Sequence, residues 1–337
     1  MKNKILKLVK SWEFILFLIL VLEFVVFGSI NDKFLQPARI FSNITNYISI
    51  CIISLFVTLV MITGGIDIQA SSIVGLTSIT IGVLWNDFGF NIWAAVAAAF
   101  VLAGLCGTLS GFFVAYCGVQ PMVITLGGSF LYSGLGLVIS RMSAIPAYQG
   151  ISGFPAKNED GTFSSFRWLG NAKLFGDLKL PVQIVIYVLL VIIMYILLHK
   201  TKYGRSIFLV GVNQQAAEYS GINTRRVIMS TYMLTGIGAA IAGTLLTSQL
   251  NSSKYDLGST YTLSIITAVV LGGTLSTGGK GSIIGTALAS LVICMLRFGL
   301  TLCFKMSSQN LDLPVGIMLL VVVSGRQIVR MVRHLDA

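Results

Sequence analysis

Charge is scarce in this chain: only 10% of its 337 residues are Asp, Glu, Lys or Arg, against about 25% in an ordinary soluble domain. Water is therefore not its main solvent. Histidine is nearly absent. His199 and His334 stand far apart, and no span carries HExxH or a paired set of His and acidic residues, which argues against a membrane-embedded enzyme. The five cysteines, Cys51, Cys106, Cys117, Cys294 and Cys303, are odd in number and lack CxxC spacing. That pattern excludes a disulfide framework and a zinc site. A nucleotide site is missing as well. Lys280 follows Gly279, but Thr274 stands where the first glycine of a phosphate loop belongs, and Gly281 where its Ser or Thr would bind magnesium. Gly236-Ile237-Gly238 lacks the third glycine of a dinucleotide fingerprint and does not follow a strand.

Apolar sequence is abundant instead. Hydrophobic residues make up 55% of the chain and its mean hydropathy is +0.88. Runs long enough for the roughly 20 residues of a spanning helix recur along the whole length. Near the start, Lys2, Lys4, Lys7 and Lys10 precede an apolar stretch that continues to Ile30 without a small-residue cleavage site, as expected of a retained first helix. The net charge of +11 is scattered among hydrophobic segments. It forms no aromatic-interleaved stripe for nucleic acid and is better explained by orientation in a membrane.

The pattern predicts an all-α polytopic bundle, a single membrane domain over residues 1–337. About ten helices are expected, near 12–30, 43–62, 72–86, 91–116, 121–140, 181–199, 227–249, 261–273, 282–304 and 312–325. The two shortest, 72–86 and 261–273, are candidates for half-spans. An even number of crossings puts both termini on one side. That side carries Lys2, Lys4, Lys7, Lys10, Lys200, Lys202, Arg205, Arg225, Arg226, Lys280, Arg326, Arg330 and Arg333. Short loops opposite carry Lys33, Arg39, Lys254 and Lys305. Both termini are thus expected in the cytoplasm, with residues 141–180 as a long outer loop. Gly107-xxx-Gly111 and Gly281-xxx-Gly285 predict close helix packing inside the bundle.

Two glycine-rich breaks interrupt apolar stretches: residues 64–72, which begin Gly64-Gly65-Ile66-Asp67, and residues 272–282, which begin Gly272-Gly273-Thr274. Each opens with Gly-Gly and leads into Ser-Ile-x-Gly, at Ser72 and at Ser282. An internal duplication would explain the pair, and such breaks at matching places in two halves point to a translocation path. Asp67 sits in the first. A charge at mid-bilayer costs about 2.5–3.5 kcal/mol on insertion scales, so its carboxylate either lines a path or satisfies free backbone N–H groups where the helix breaks. Glu23 and Arg297 are further embedded charges, open to packing or snorkelling explanations.

The segment 200–226 is expected to lie in the cytoplasm as a docking element. Asn213 can cap a short helix to about Ser220, with Gly221 as its stop. Thr201-x-x-Gly204-Arg205, Gly211-x-Asn213, Ala216-Ala217 and Ser220-Gly221-Ile222 resemble the coupling region of the ribose-type branch of ABC importer permeases. Gly64-Gly65-Ile66-Asp67, the element from Gln120-Pro121 to Thr125-Leu126-Gly127, and the glycine-rich block at 268–285 resemble the same family, so the likeness covers nearly the whole chain. Trp12-Glu13, residues 26–31, residues 150–155 and His199-Lys200-Thr201 are similar to its autoinducer-2 import permeases. One stretch departs: Ile68, Gln69, Ala70, Ser71 and Ser72 stand where the family has Leu or Ile, Ser, a variable residue, Gly and Ser.

The resemblance implies a bacterial inner-membrane permease that holds no cofactor and hydrolyses no ATP. It implies a cytoplasmic ATPase subunit, a second permease (homologous rather than identical) and an extracytoplasmic binding protein served by the 141–180 loop. Coupling to the ATPase would run through Gly204, Arg205, Gly211, Asn213, Ala217, Glu218, Ser220 and Gly221. Asn46, Asp67, Gln69, Ser71 and Thr125 are the candidate path residues for a small sugar-like ligand, autoinducer-2 or else ribose or another monosaccharide. An ion-coupled secondary transporter is the competing class, with Asp67 as its ion site.

Overall fold

The computed structural model describes residues 12–140, 151–152, 164–174 and 179–335. Lys2, Lys4, Lys7 and Lys10 and most of the 141–180 loop lie outside these residues. Thirteen α-helices are described: α1 Trp12–Ile30, α2 Pro37–Ile62, α3 Ala70–Asn86, α4 Ile92–Ala115, α5 Pro121–Ile139, α6 Ser165–Asn171, α7 Val182–Lys200, α8 Lys202–Val212, α9 Gln214–Tyr219, α10 Thr224–Leu250, α11 Thr262–Leu271, α12 Ile283–Phe304 and α13 Asp312–Leu335. Helices stand at each position where the apolar runs place one. Among the described residues seven of them, α1, α2, α4, α5, α7, α10 and α12, are long and apolar enough to cross a membrane. The others at those positions are shorter: α3 has 17 residues, α11 has 10, and the apolar part of α13 ends at Val322.

Boundaries shift for local reasons. Helix α2 starts at Pro37, whose ring suits the first helical turn and lacks only an N–H that has no intrahelical partner there. Helix α10 starts at Thr224 because the Asn223 side chain accepts from the Arg226 N–H at 3.0 Å. Helices α6 and α8 were not among the expected elements. Two small antiparallel ladders flank the bundle. β1 (Ile151–Ser152) pairs with β4 (Ser252–Ser253), and β2 (Lys173–Leu174) with β3 (Leu180–Pro181).

Helix α10 is the centre, packed on α4, α2 and α3. Small residues make this possible, because lipid tails are as apolar as leucine and do not drive helices together. A Cβ on Gly107 would strike the Tyr232 carbonyl, and one on Gly236 the Ala103 carbonyl. On Gly111 it would lie 2.8 Å from the Met229 oxygen. The second small-residue pair is used too, with Gly285 against the Gly272 carbonyl and Gly281 against Ile62.

Arg297, 6% exposed, shows how an embedded charge is held. Its guanidinium donates to Ser264 of α11 at 2.7 Å and to Asp312 at 2.5 Å, and lies over the Tyr47 ring of α2. It ties α11, α12, α13 and α2 together. Gly236→Val is expected to lower the stability of the solubilised protein by about 1–3 kcal/mol or more through overpacking, read as a fall in Tm, whereas Gly127→Ala, with open space around it, should leave Tm unchanged.

Candidate functional site

The first break forms because Gly64 turns the chain with φ +86°, a conformation that favours glycine. Before it, α2 closes with Thr63 N–H donating to Leu59 at 3.3 Å and Gly65 N–H to Val60 at 3.1 Å. A Cβ on Gly65 would strike the Tyr232 hydroxyl. Residues 66–69 then lead to α3. Asp67, 2% exposed, accepts with Oδ1 from the N–H groups of Gln69 at 3.0 Å and Ala70 at 3.2 Å. These are the donors that a helix start leaves free, so Asp67 is a helix-capping carboxylate.

The second break runs through Gly273, Gly278 and Gly279, all at positive φ. Its Gly279 N–H donates to the Ile62 carbonyl at 2.8 Å. One backbone bond therefore ties the second break to the end of α2, just ahead of the first. A third element completes the junction. A Cβ on Gly211, near the end of α8, would strike both the Ile62 carbonyl and the Gly279 nitrogen, and one on Gly278 would come within 3.0 Å of the Gly211 carbonyl.

The segment that carries Gly211 is ordered throughout. Thr201 caps α8 by accepting from the Gly204 N–H at 3.1 Å, and Gly204 packs against the Leu198 carbonyl. Tyr203 bonds Ser230 of α10 at 2.6 Å, and its burial raises the hydroxyl above the usual tyrosine range, so it stays neutral. Asn213 accepts from the Ala216 N–H at 3.0 Å to start α9. Ala217 is buried and Ser220 closes the helix on the Ala216 carbonyl. Gly221 turns out with φ +80°. Arg205, Glu218, Leu209 and Val212 are exposed, and Tyr219 is 93% exposed. Between this segment and the first break lies a cleft of about 300 Å³ lined by Gly64, Gly65, Gln120, Pro121, Gln214 and Tyr232.

The five candidate path residues do not form one site. Gln69 accepts with Oε1 from Ser110 at 2.7 Å, and Ser110 lies 3.1 Å from the Tyr132 hydroxyl. Thr125 donates to the Ile66 carbonyl at 3.0 Å. These two join Asp67 in one buried polar cluster, in which Asp67 Oδ2, Gln69 Nε2 and Tyr232 Oη have no protein partner among the described residues. Ser71 is bound to Thr262 of α11 at 2.5 Å. Asn46 stands apart, sixteen residues or about 24 Å up α2 from Ile62. It accepts from Gln249 at 3.0 Å, beside a cleft of about 220 Å³ that Asn171, Lys173 and Lys179 also line. Ser110, Tyr132, Tyr232 and Thr262 were absent from the sequence candidates. None of them lies in a motif that marks it.

Residues 39–323 match the family model described as the permease component of a branched-chain amino acid transport system. The chain belongs to this permease family. Its curated relatives include the autoinducer 2 import system permease proteins LsrD of Photorhabdus laumondii and Yersinia pseudotuberculosis. The first is 38% identical over 94% of this chain and 92% of the relative, the second 38% over 96% and 93%. The Escherichia coli protein of the same name is 37% identical over 94% and 92%. No solved structure matches. As the permease of an ABC importer, the chain is a multi-pass membrane protein that supplies a route, and ATP hydrolysis belongs to a separate subunit.

Asp67 separates capping from path lining. Asp67→Asn keeps an oxygen for the Gln69 and Ala70 N–H groups and is expected to preserve stability and uptake. Asp67→Ala should cost about 1 kcal/mol of stability, read as a lower Tm. Full Tm with abolished uptake in Asp67→Asn would give the carboxylate a direct role in the path.

Proposed function

We propose that this permease imports autoinducer-2, acting beside a second, homologous permease chain. The junction at Gly211 carries the coupling part of the reading. An ATPase subunit docked on the exposed Arg205, Glu218 and Tyr219 of α8 and α9 pushes an element whose far end abuts both breaks. Rigid-body movement of α8 then reaches the backbone of α2 and the start of α12 without an intervening side chain. Gly204, Asn213, Ala217, Ser220 and Gly221 hold the docking element in shape.

The cargo assignment rests on the names of the relatives and on chemistry. The family description names branched-chain amino acids and the relatives name autoinducer-2, so membership alone leaves the ligand open. Ser, Thr, Gln and Asn side chains near the breaks and at the Asn46 cleft suit a small hydroxylated molecule better than an aliphatic one. Basic residues favour the α8 end, which supports cytoplasmic termini and ten crossings, with α3 and α11 among the shorter ones. The loop 141–180, on the other side, receives the binding protein, and the whole sits in the bacterial inner membrane.

Uptake of labelled autoinducer-2, ribose and leucine by cells with and without this chain tests the cargo. Loss of autoinducer-2 uptake alone is expected when the chain is deleted, and undiminished uptake would reject the proposal. An ATPase subunit should copurify. In the reconstituted transporter, Gly211→Ala and Asn213→Ala should abolish ligand-stimulated ATP hydrolysis while the subunits remain assembled, whereas unchanged stimulation would remove the junction from the coupling route.

A further inference from the structure

The ten-residue helix α11 is about 15 Å long, half of the roughly 30 Å hydrocarbon core. The chain reaches it from β4 through residues 254–261, which form turns and no helix. Their depth can be read on α3. Ser253 donates to the Ser78 carbonyl at 2.8 Å, and the Lys254 N–H to the Ser78 hydroxyl at 3.3 Å. Lower down, a Cβ on Gly75 would strike the Tyr255 carbonyl, and one on Gly258 would lie 3.2 Å from the Ser71 carbonyl. Thr262 ends the descent on Ser71. Ser78 lies eight residues before the outer end of α3 at Asn86, and Ser71 fifteen, so the stretch sits about 12 to 22 Å below that end.

Irregular backbone at such depth persists only where protein buries it or water reaches it. One side of the stretch packs on α3. The other is bare, with Asp256, Ser259 and Thr260 exposed. The turn meets part of its own backbone demand, with Ser259 N–H donating to Asp256 at 3.1 Å and Tyr261 N–H to Gly258 at 2.9 Å, but hydrocarbon would offer nothing to the exposed side chains, and a carboxylate at this depth is strongly disfavoured there. Polar groups continue across the neighbouring helices, where Ser72 of α3 bonds Ser129 of α5 at 2.9 Å. Tyr255 and Tyr261 are half-buried in the same stretch. The first N–H groups of α11 have no side-chain cap from Tyr261. They add partial positive charge that favours an oxygen acceptor.

From this geometry we infer that residues 254–261 form the water-facing wall of the translocation path in the inner part of the membrane, and that they hand on the hydroxyl groups of a small neutral polyhydroxylated ligand. The inference rests on the permease reading and deepens it, because it adds Ser259, Thr260 and Asp256 to Asn46, Asp67, Gln69, Ser71 and Thr125, the path residues that the sequence proposes. Hydroxyls, a carboxylate and aromatic rings together match a polyol. A branched aliphatic side chain would find no apolar pocket among them.

Cysteine accessibility in the complete transporter tests the wall. Ser259→Cys and Thr260→Cys, each in a Cys117→Ser background that removes the exposed native thiol, keep the size of the side chain. Membrane vesicles would be treated with a charged, membrane-impermeant methanethiosulfonate and, separately, with a lipophilic maleimide, using Leu22→Cys on the exposed face of α1 as the lipid-facing control. The charged reagent should modify both wall variants and not the control, and modification should abolish uptake. Modification by the lipophilic reagent alone would assign the stretch to lipid. Protection from both reagents in the complex, with labelling of the isolated subunit, would assign it to the interface with the second permease. Either result overturns the inference. Labelling requires no transported ligand, so it can fail independently of the uptake assay that tests the cargo.

Discussion

The hydrocarbon of a bilayer offers no hydrogen bonds, so every backbone group that leaves a helix inside it must find a partner in the protein. The bond from Gly279 N–H to the Ile62 carbonyl answers that demand for one donor of the second break and one carbonyl at the end of α2. Asp67 answers it for the start of α3, and Ser282 for the start of α12 by accepting from the Gly285 N–H. The glycines serve the same end. Gly211, Gly278 and Gly279 have no Cβ atoms, and three stretches of backbone close on one another there without room for side chains between them.

The rest of the fold follows from where those breaks sit. Helix α3 starts late, after residues 66–69, and α11 starts late, after residues 254–261. Their first turns meet through Ser71 and Thr262. Around them α2, α4, α10 and α12 are long and continuous. The molecule thus combines uninterrupted rods, which resist bending, with two short helices whose starting points are fixed by side chains. Arg297 secures the inner flank of α11 by reaching Ser264 while bound to Asp312.

Much of this was legible in the sequence. Apolar runs marked the helices, because the bilayer demands length and hydrophobicity more strictly than a soluble core does. Gly107 and Gly111 marked the close approach to α10, and Asn213 and Gly221 bounded α9 correctly. Helix α8 was hidden by its own glycines: Gly204 and Gly211 look like breakers, although buried Gly204, Ile207 and Val210 recur at the three-residue spacing of one helix face. The stretch 254–261 was hidden by polarity. Lys254 and Asp256 look like an outer loop, and only the contacts with α3 reveal its depth. Asn46 and Asp67 share polar character, but Asn46 stands inside α2, sixteen residues before its end at Ile62, and Asp67 in the break beyond it, a separation that composition does not record.

Helix α2 is a bar with a load at one end and another well along its length. Its 26 residues form one continuous helix from Pro37 to Ile62, with Gly211 of α8 against the Ile62 end and Gln249 bonded to Asn46 on the side of Pro37. A stiff bar converts rotation into displacement in proportion to its length. A tilt of roughly 5° about Ile62 moves Asn46, about 24 Å away, by about 2 Å. That distance is enough to exchange one hydrogen-bond partner for another, so a small angular change at the Ile62 end becomes a change of chemistry at Asn46.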